Sequence, residues 1–284
     1  MTSRAHSSTT APSPVRAAAP GIVLLARLGY AAKGVVFIVI GVLAARLAAG
    51  QGGATTDQRG ALRLIGEGPF GTLALLVIGV GLLGYMAWRI VSAITDAERK
   101  GSDPSSLAVR LASAARGVAY GLLGVQTLRA LATRGSGPNG GGSGQAQHWT
   151  ARLLEMPGGR ALVAIAGLAF IGYAGYQLYR ASSEEKVRKH LDLAEAGADK
   201  ARWIVRFGQF GIAARAVVFG LVGVFLVRAA KQHDASEAGG LQDSLATLAQ
   251  APYGRVLLAV VALGLVAYGA YQLATARYRH MHVA

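Results

Sequence analysis

The sequence predicts an all-α integral membrane protein: six transmembrane helices, built as three tandem two-helix repeats in a pseudo-threefold bundle. Three observations predict it. The 284-residue chain is 52% hydrophobic and only 15% charged, a balance that belongs to membrane proteins rather than soluble globules. Apolar runs long enough to cross a bilayer follow one another along it. The same residue types recur in those runs at fixed offsets, three times over, which marks an internal repeat. The 39 glycines and only eight prolines fit membrane helices whose backbones approach closely across small residues.

Residues 1–20 are small and polar, with Arg4, Arg16 and no acid, so they are expected to form a disordered cytoplasmic tail. The first repeat covers 21–100, the second 101–182, a charged connector 183–206, and the third 207–284. Three segments are uncharged over the roughly 20 residues that cross a hydrocarbon core of about 30 Å. They are Phe70 to Trp88, Ala161 to Tyr179 and Val256 to Ala276. The alternating three each carry a recurring basic residue in their first half: Leu25 to Leu47 with Lys33, Leu111 to Leu131 with Arg116, and Gly208 to Val227 with Arg215.

The odd helices share the openings Ala31-Ala32-Lys33-Gly34, Ala114-Ala115-Arg116-Gly117 and Ala213-Ala214-Arg215-Ala216. An aromatic follows each basic residue by four (Phe37, Tyr120, Phe219), a glycine by eight (Gly41, Gly124, Gly223) and an arginine by thirteen (Arg46, Arg129, Arg228). The even helices open with Pro69-Phe70-Gly71, Pro157-Gly158-Gly159 and Pro252-Tyr253-Gly254. Sixteen residues after each proline stands a tyrosine (Tyr85, Tyr173, Tyr268), and nineteen after stands Trp88, Tyr176 or Tyr271. Small residues at ten, twelve, fifteen and eighteen fall mostly on one broad helical face, suited to tight contact.

These motifs resemble the membrane family of actinobacteria known as domain of unknown function 1206. The resemblance covers nearly everything after residue 20, including Arg228-Ala229-Ala230 and the final Ala276-Arg277-Tyr278-Arg279. It implies three repeats of two transmembrane helices and brings no activity with it. Ala216 departs from the glycine of the motif, which implies slightly looser packing in the third copy.

Sixteen Lys and Arg lie on the side of the termini and ten on the opposite side, leaving aside Lys33, Arg116 and Arg215. The positive-inside rule then places both termini in the cytoplasm of a multi-pass plasma-membrane protein. Each outer loop reaches its proline through an apolar stripe (Leu62 and Ile65, Trp149 and Leu153, Leu245 and Leu248), the pattern of a short interfacial helix. Gly135 to Gly144 reads as a flexible linker in the middle outer loop. Glu184 to Arg206 reads as a charged helical connector lying on anionic lipid.

Candidate chemistry is sparse. The chain has no cysteine, which excludes disulfides and thiolate chemistry. None of the six spans holds an Asp or Glu, which argues against proton- or sodium-coupled transport. The six histidines lie outside the spans. His280 and His282 alternate in the tail without the further ligands a metal site needs, so no metal and no cofactor is expected. No catalytic constellation appears, so no enzyme is expected. The net charge of +15 is spread over helix ends rather than gathered in a stripe, so nucleic acid is not an expected partner.

Tyr85, Tyr173 and Tyr268, with Trp88, Tyr176 and Tyr271, read first as an interfacial aromatic belt. Gly41, Gly124 and Gly223 read as helix-packing positions. Twelve uncharged residues separate Lys33, Arg116 and Arg215 from the arginine thirteen further on. They cover only about 18 Å at about 1.5 Å each, so these three basic residues lie below the membrane surface. They either snorkel to cytoplasmic headgroups or face inward as a basic ring that binds an anion or a lipid phosphate. The leading expectation is therefore a pore-like or binding bundle for small anions or anionic lipid headgroups. The alternative is a structural or accessory subunit without transport activity. The partners expected are the bilayer, anionic lipids, and either a membrane protein or a second copy of the chain.

Overall fold

The computed structural model describes residues 19–51, 55–95, 103–133, 142–188, 191, 193 and 196–279. The amino-terminal tail up to residue 18, and His280 and His282, lie outside them. Six long helices dominate: α1 (Ala19–Ala48), α3 (Gly71–Ile94), α4 (Pro104–Ala132), α6 (Gly159–Ala181), α8 (Ala198–Gln232) and α10 (Gly254–Tyr278). Between them lie the short helices α2 (Gln58–Gly66), α5 (Gly142–Leu154), α7 (Glu184–Arg188) and α9 (Leu241–Gln250), and a 3-10 turn at Ala235–Glu237.

Five of the long helices, α1, α3, α6, α8 and α10, are long and apolar enough to cross a membrane. The chain is accordingly a multi-pass membrane protein. Six equivalent spans were expected, and α4 differs. It has the length, at 29 residues, but Gln126 and Thr127 interrupt its apolar stretch where the other odd helices hold Leu43 and Ala44 or Phe225 and Leu226.

The Pro-x-Gly motif opens α3, α6 and α10 for a steric reason. The chain doubles back from each short outer helix so closely that a Cβ on Gly71, Gly159 or Gly254 would strike the carbonyl of Gly66, Leu153 or Ala249. The three expected outer helices are present as α2, α5 and α9. Leu62 and Leu245 on them are fully buried, whereas Trp149 on α5 is exposed. Asp57 caps α2 by accepting from the Gly60 N–H at 2.9 Å. The expected glycine linker is shorter than its sequence suggests, because Gly142 to Gly144 already belong to α5.

The connector also departs from expectation. It is not one charged helix on the lipid surface: α7 ends at Arg188 and α8 begins at Ala198. Between and beside them Val187, Leu191, Leu193 and Ala196 are buried in the main core, and Leu191 pairs with Arg279 in an isolated antiparallel bridge. The apolar residues in this stretch win over its charges, because they plug the end of the bundle.

Packing runs in a fixed order, α4 against α3, α3 against α1, α1 against α10, α10 against α8, and α8 against α6. One close contact recurs between the repeats at the same two positions. A Cβ on Gly41 of α1 would stand 2.7 Å from the Ala262 carbonyl of α10. The same atom on Gly124 of α4 would stand 2.9 Å from the Gly79 carbonyl of α3. On Gly223 of α8 it would stand 2.7 Å from the Gly167 carbonyl of α6. Each pair joins the glycine eight after the basic residue to the small residue ten after the proline, and the pair at Gly41 links the last repeat back to the first. Ala216, expected to mark looser packing, is 1% exposed, so the methyl group it adds is accommodated inside the bundle.

The two helices of the second repeat break the pattern. Within the first hairpin, Gly81 and Gly84 of α3 are buried on Leu25, Leu28 and Gly29 of α1. Within the third, Gly211 of α8 and Gly264 of α10 meet Tyr268 and Ala214. In the second, Gly172 and Gly175 of α6 have no atom within 4 Å of a Cβ position, and α4 does not pack along α6.

Candidate functional site

The three basic residues that recur at the start of the odd helices converge at one end of the bundle. Lys33 and Arg215 are 4% and 5% exposed, so neither snorkels to the surface. Arg116 is half-buried beside the opening between α4 and α6. A small cavity of about 50 Å³ lies among Lys33, Arg116, Arg215, Arg89, Arg180 and Arg279, with Tyr30, Tyr85, Tyr268, Tyr271, Gln177, Gln272, Ile212 and Thr275 completing its wall. Among the described residues no Asp or Glu lines it.

The tyrosines sixteen after each proline face these cations rather than forming an aromatic belt. Lys33 Nζ donates to Tyr85 Oη at 3.4 Å and lies 4.6 Å from the Tyr85 ring and 4.5 Å from the Tyr120 ring. Arg116 Nη1 donates to Tyr173 Oη at 2.9 Å, with its guanidinium 5.3 Å from that ring. The Arg215 guanidinium stands 4.3 Å from Phe219, 5.0 Å from Tyr268 and 5.8 Å from Phe37. A cation on an aromatic face gains about 0.5–2 kcal/mol, which offsets only part of the cost of burying it.

The aromatics also lock together across repeats. Tyr85 meets Tyr120 at 5.5 Å, Tyr173 meets Phe219 at 5.9 Å, and Tyr268 meets Phe37 at 4.9 Å, all edge to face. Each pair joins an even helix to the odd helix of the following repeat, and the third joins the last repeat to the first. The expected belt therefore fails for Tyr85, Tyr268, Trp88 and Tyr271, all 5% exposed or less. Only Tyr176, at 59% exposed, faces outward as a belt residue would. The reason is that the odd helices put buried charge opposite these positions, and aromatic faces and hydroxyls are what can accept it.

A further polar layer surrounds the first. Arg89 Nε donates to Tyr85 Oη at 3.0 Å and its Nη1 to Ser113 Oγ at 3.0 Å. Gln177 and Gln272, at the place of Arg89 in the other repeats, are each 4% exposed. Arg180, Arg279, Tyr30 and Thr275 were not singled out by sequence reasoning. Three of them occupy offsets shared between the repeats, though the residue types there differ. Tyr30 stands three residues before Lys33, where Ser113 and Ile212 stand before Arg116 and Arg215. Arg180 and Thr275 stand twenty-three after their prolines. Arg279 has no counterpart in the other repeats.

Among the described residues Arg215 Nε finds no hydrogen-bond partner, although a guanidinium presents five donors. A buried donor left unmet costs about 1–3 kcal/mol. The described lining of the cavity thus presents several cationic donors and no carboxylate.

The fold and the site define a multi-pass helical membrane protein with a basic cavity lined by its repeated hairpins. The sequence profile of the family described as Domain of Unknown Function (DUF1206) matches it three times, over residues 28–96, 111–183 and 210–279, and the chain belongs to that family. Each match takes in one pair of long helices. A relative in Bacillus subtilis (strain 168), the uncharacterized protein YxxB, is 36% identical over 262 residues, which is 92% of this chain and 93% of its own. No solved structure matches the chain.

Proposed function

We propose that this protein binds small anions or anionic lipid headgroups in the basic cavity, with Lys33, Arg116 and Arg215 as the binding layer. One observation carries the reading: basic side chains surround a small cavity that, among the described residues, no carboxylate lines. Phosphate or a like oxyanion offers several strong acceptors at once, and charge-assisted hydrogen bonds are about twice as strong as neutral ones. Tyr85, Tyr173 and Tyr268 hold the cations in place between the even helices.

The same reading makes α4 a sixth span, placed in the bilayer by its neighbours rather than by its own hydropathy. At about 1.5 Å per residue it is long enough for a core of about 30 Å. The repeated glycine and aromatic pairs, including those joining last repeat to first, support a pseudo-threefold bundle about the membrane normal. The excess of basic residues on the side of the termini supports a cytoplasmic site in the plasma membrane.

The test replaces Lys33, Arg116 and Arg215 together by glutamine, then measures anion flux in liposomes and phospholipid retained on purification. Loss of either activity in a folded triple variant supports the proposal. Unchanged flux and lipid content would sink it, and stoichiometric copurification of another membrane protein would favour the accessory-subunit reading.

A further inference from the structure

The second hairpin is open where the other two are closed, and the opening leads to the basic cavity. The comparison can be made position by position, because the repeats share one register. On the odd helices, Ala32 and Val36 of the first repeat and Ala214 and Val218 of the third are buried. Their counterparts Ala115 and Ala119 on α4 are exposed. On the even helices, Gly81 and Gly84, and Gly264 and Ala267, are buried. Their counterparts Ala169 and Gly172 on α6 are exposed.

Two facing walls of small residues therefore stand uncovered at membrane depth. Arg116 reaches across the opening to Tyr173 and also lines the cavity. Behind it Arg215 is buried with its Nε unmatched by any acceptor. Small residues alone would say nothing of an occupant. A buried donor without an acceptor, at the end of an apolar slot, calls for a ligand with an anionic head and an apolar chain. The bilayer around the protein is made of such molecules.

We propose that an anionic phospholipid enters the cavity sideways between α4 and α6. Its phosphate sits on Arg116 and Arg215, and one acyl chain runs along the slot between Ala115 and Ala119 on one side and Ala169 and Gly172 on the other. This rests on the anion-binding reading above and adds the route and the source of the ligand. Lateral entry also explains why only one of three equivalent hairpins is left open, since one opening suffices.

The experiment fills the slot. Nothing lies within 4 Å of a Cβ on Gly172 or Gly175, so the variant Gly172→Leu with Gly175→Leu has room to fold, which its melting temperature and gel-filtration profile check. Wild type and variant are reconstituted in mixed phosphatidylglycerol–phosphatidylcholine vesicles and re-extracted, and the retained phosphatidylglycerol is measured by mass spectrometry. The expected result is a drop of roughly tenfold, equivalent to about 1.4 kcal/mol. Ala119→Leu repeats the test from the opposite wall should the double variant misfold. Delipidated wild-type protein is titrated with inorganic phosphate in parallel. Phosphate binding there, with lipid retention unchanged in the slot variants, overturns lateral lipid entry and leaves the anion site standing. A wild-type dimer that the slot variants dissociate also overturns it, by making a second copy the occupant.

Discussion

Gly41 of α1 lies directly on the carbonyl of Ala262 in α10, where a Cβ would come within 2.7 Å of the oxygen. This contact joins the first repeat to the last, and it uses the same two positions that join the first repeat to the second and the second to the third. Each repeat thus meets the other two through the same pair of positions.

Gly41→Leu, Gly124→Leu and Gly223→Leu should therefore each destabilise the fold by about 1–3 kcal/mol, the cost of forcing extra atoms into a packed interface. Gly172→Leu, on a face with no neighbour, should shift stability little. Thermal unfolding in detergent compares the four variants side by side. Equal losses at Gly172 and Gly41 would mean that α6 is covered.

A second expectation concerns the charge itself. Replacing Arg215 by methionine removes a buried guanidinium with an unmet donor, so the ligand-free protein should gain about 1–3 kcal/mol in stability. The same variant should lose stabilisation by phosphate, which for the wild type would be about 2.7 kcal/mol at one hundred times Kd. Melting curves with and without phosphate give both numbers. A destabilised apo variant would assign Arg215 a structural role.

Tyr85→Phe should cost about 1.5–3 kcal/mol, because Tyr85 Oη accepts from both Lys33 and Arg89 and hydrogen bonds to charged groups lie in that range. Tyr176→Phe, on an exposed ring, should cost nothing measurable. Urea or heat unfolding of the two variants provides the comparison.

Much of this was legible in the sequence, and the reason is repetition. Gly41, Gly124 and Gly223 each recur at one offset from a basic residue, and each lies at a helix crossing. Lys33, Arg116 and Arg215 share one register and converge. What the sequence left open was the direction in which a side chain points. Lys33 four residues before an aromatic is compatible with snorkelling or with an inward ring, and only the packing of α3 and α4 turns it inward, onto Tyr85 and Tyr120. The belt reading of Tyr85 and Tyr268 failed for the same reason, since an aromatic near a helix end serves lipid or a buried cation equally well. The opening of the second hairpin was invisible, because Gly172 and Gly175 match the pattern of the closed copies. The polar pair Gln126 and Thr127 in α4, where the other odd helices hold Leu43 and Ala44 or Phe225 and Leu226, is the sequence feature that sets that hairpin apart.

Topology supplies another test, and the lack of native cysteine makes it clean. Single cysteines in place of Glu185 and Glu237 should react with a membrane-impermeant maleimide from opposite faces, Glu185→Cys from the cytoplasm and Glu237→Cys from outside. Labelling of both from one face would remove a span between them and refute the six-span arrangement.

The most direct measurement is calorimetric titration of delipidated protein with inorganic phosphate, for the wild type and for Lys33→Gln, Arg116→Gln and Arg215→Gln singly and combined. The account predicts saturable binding at one site per chain, weakened roughly tenfold or more by each substitution, or about 1.4 kcal/mol, and lost in the triple variant. Absence of saturable binding to the wild type, or undiminished binding to a folded triple variant, would contradict it.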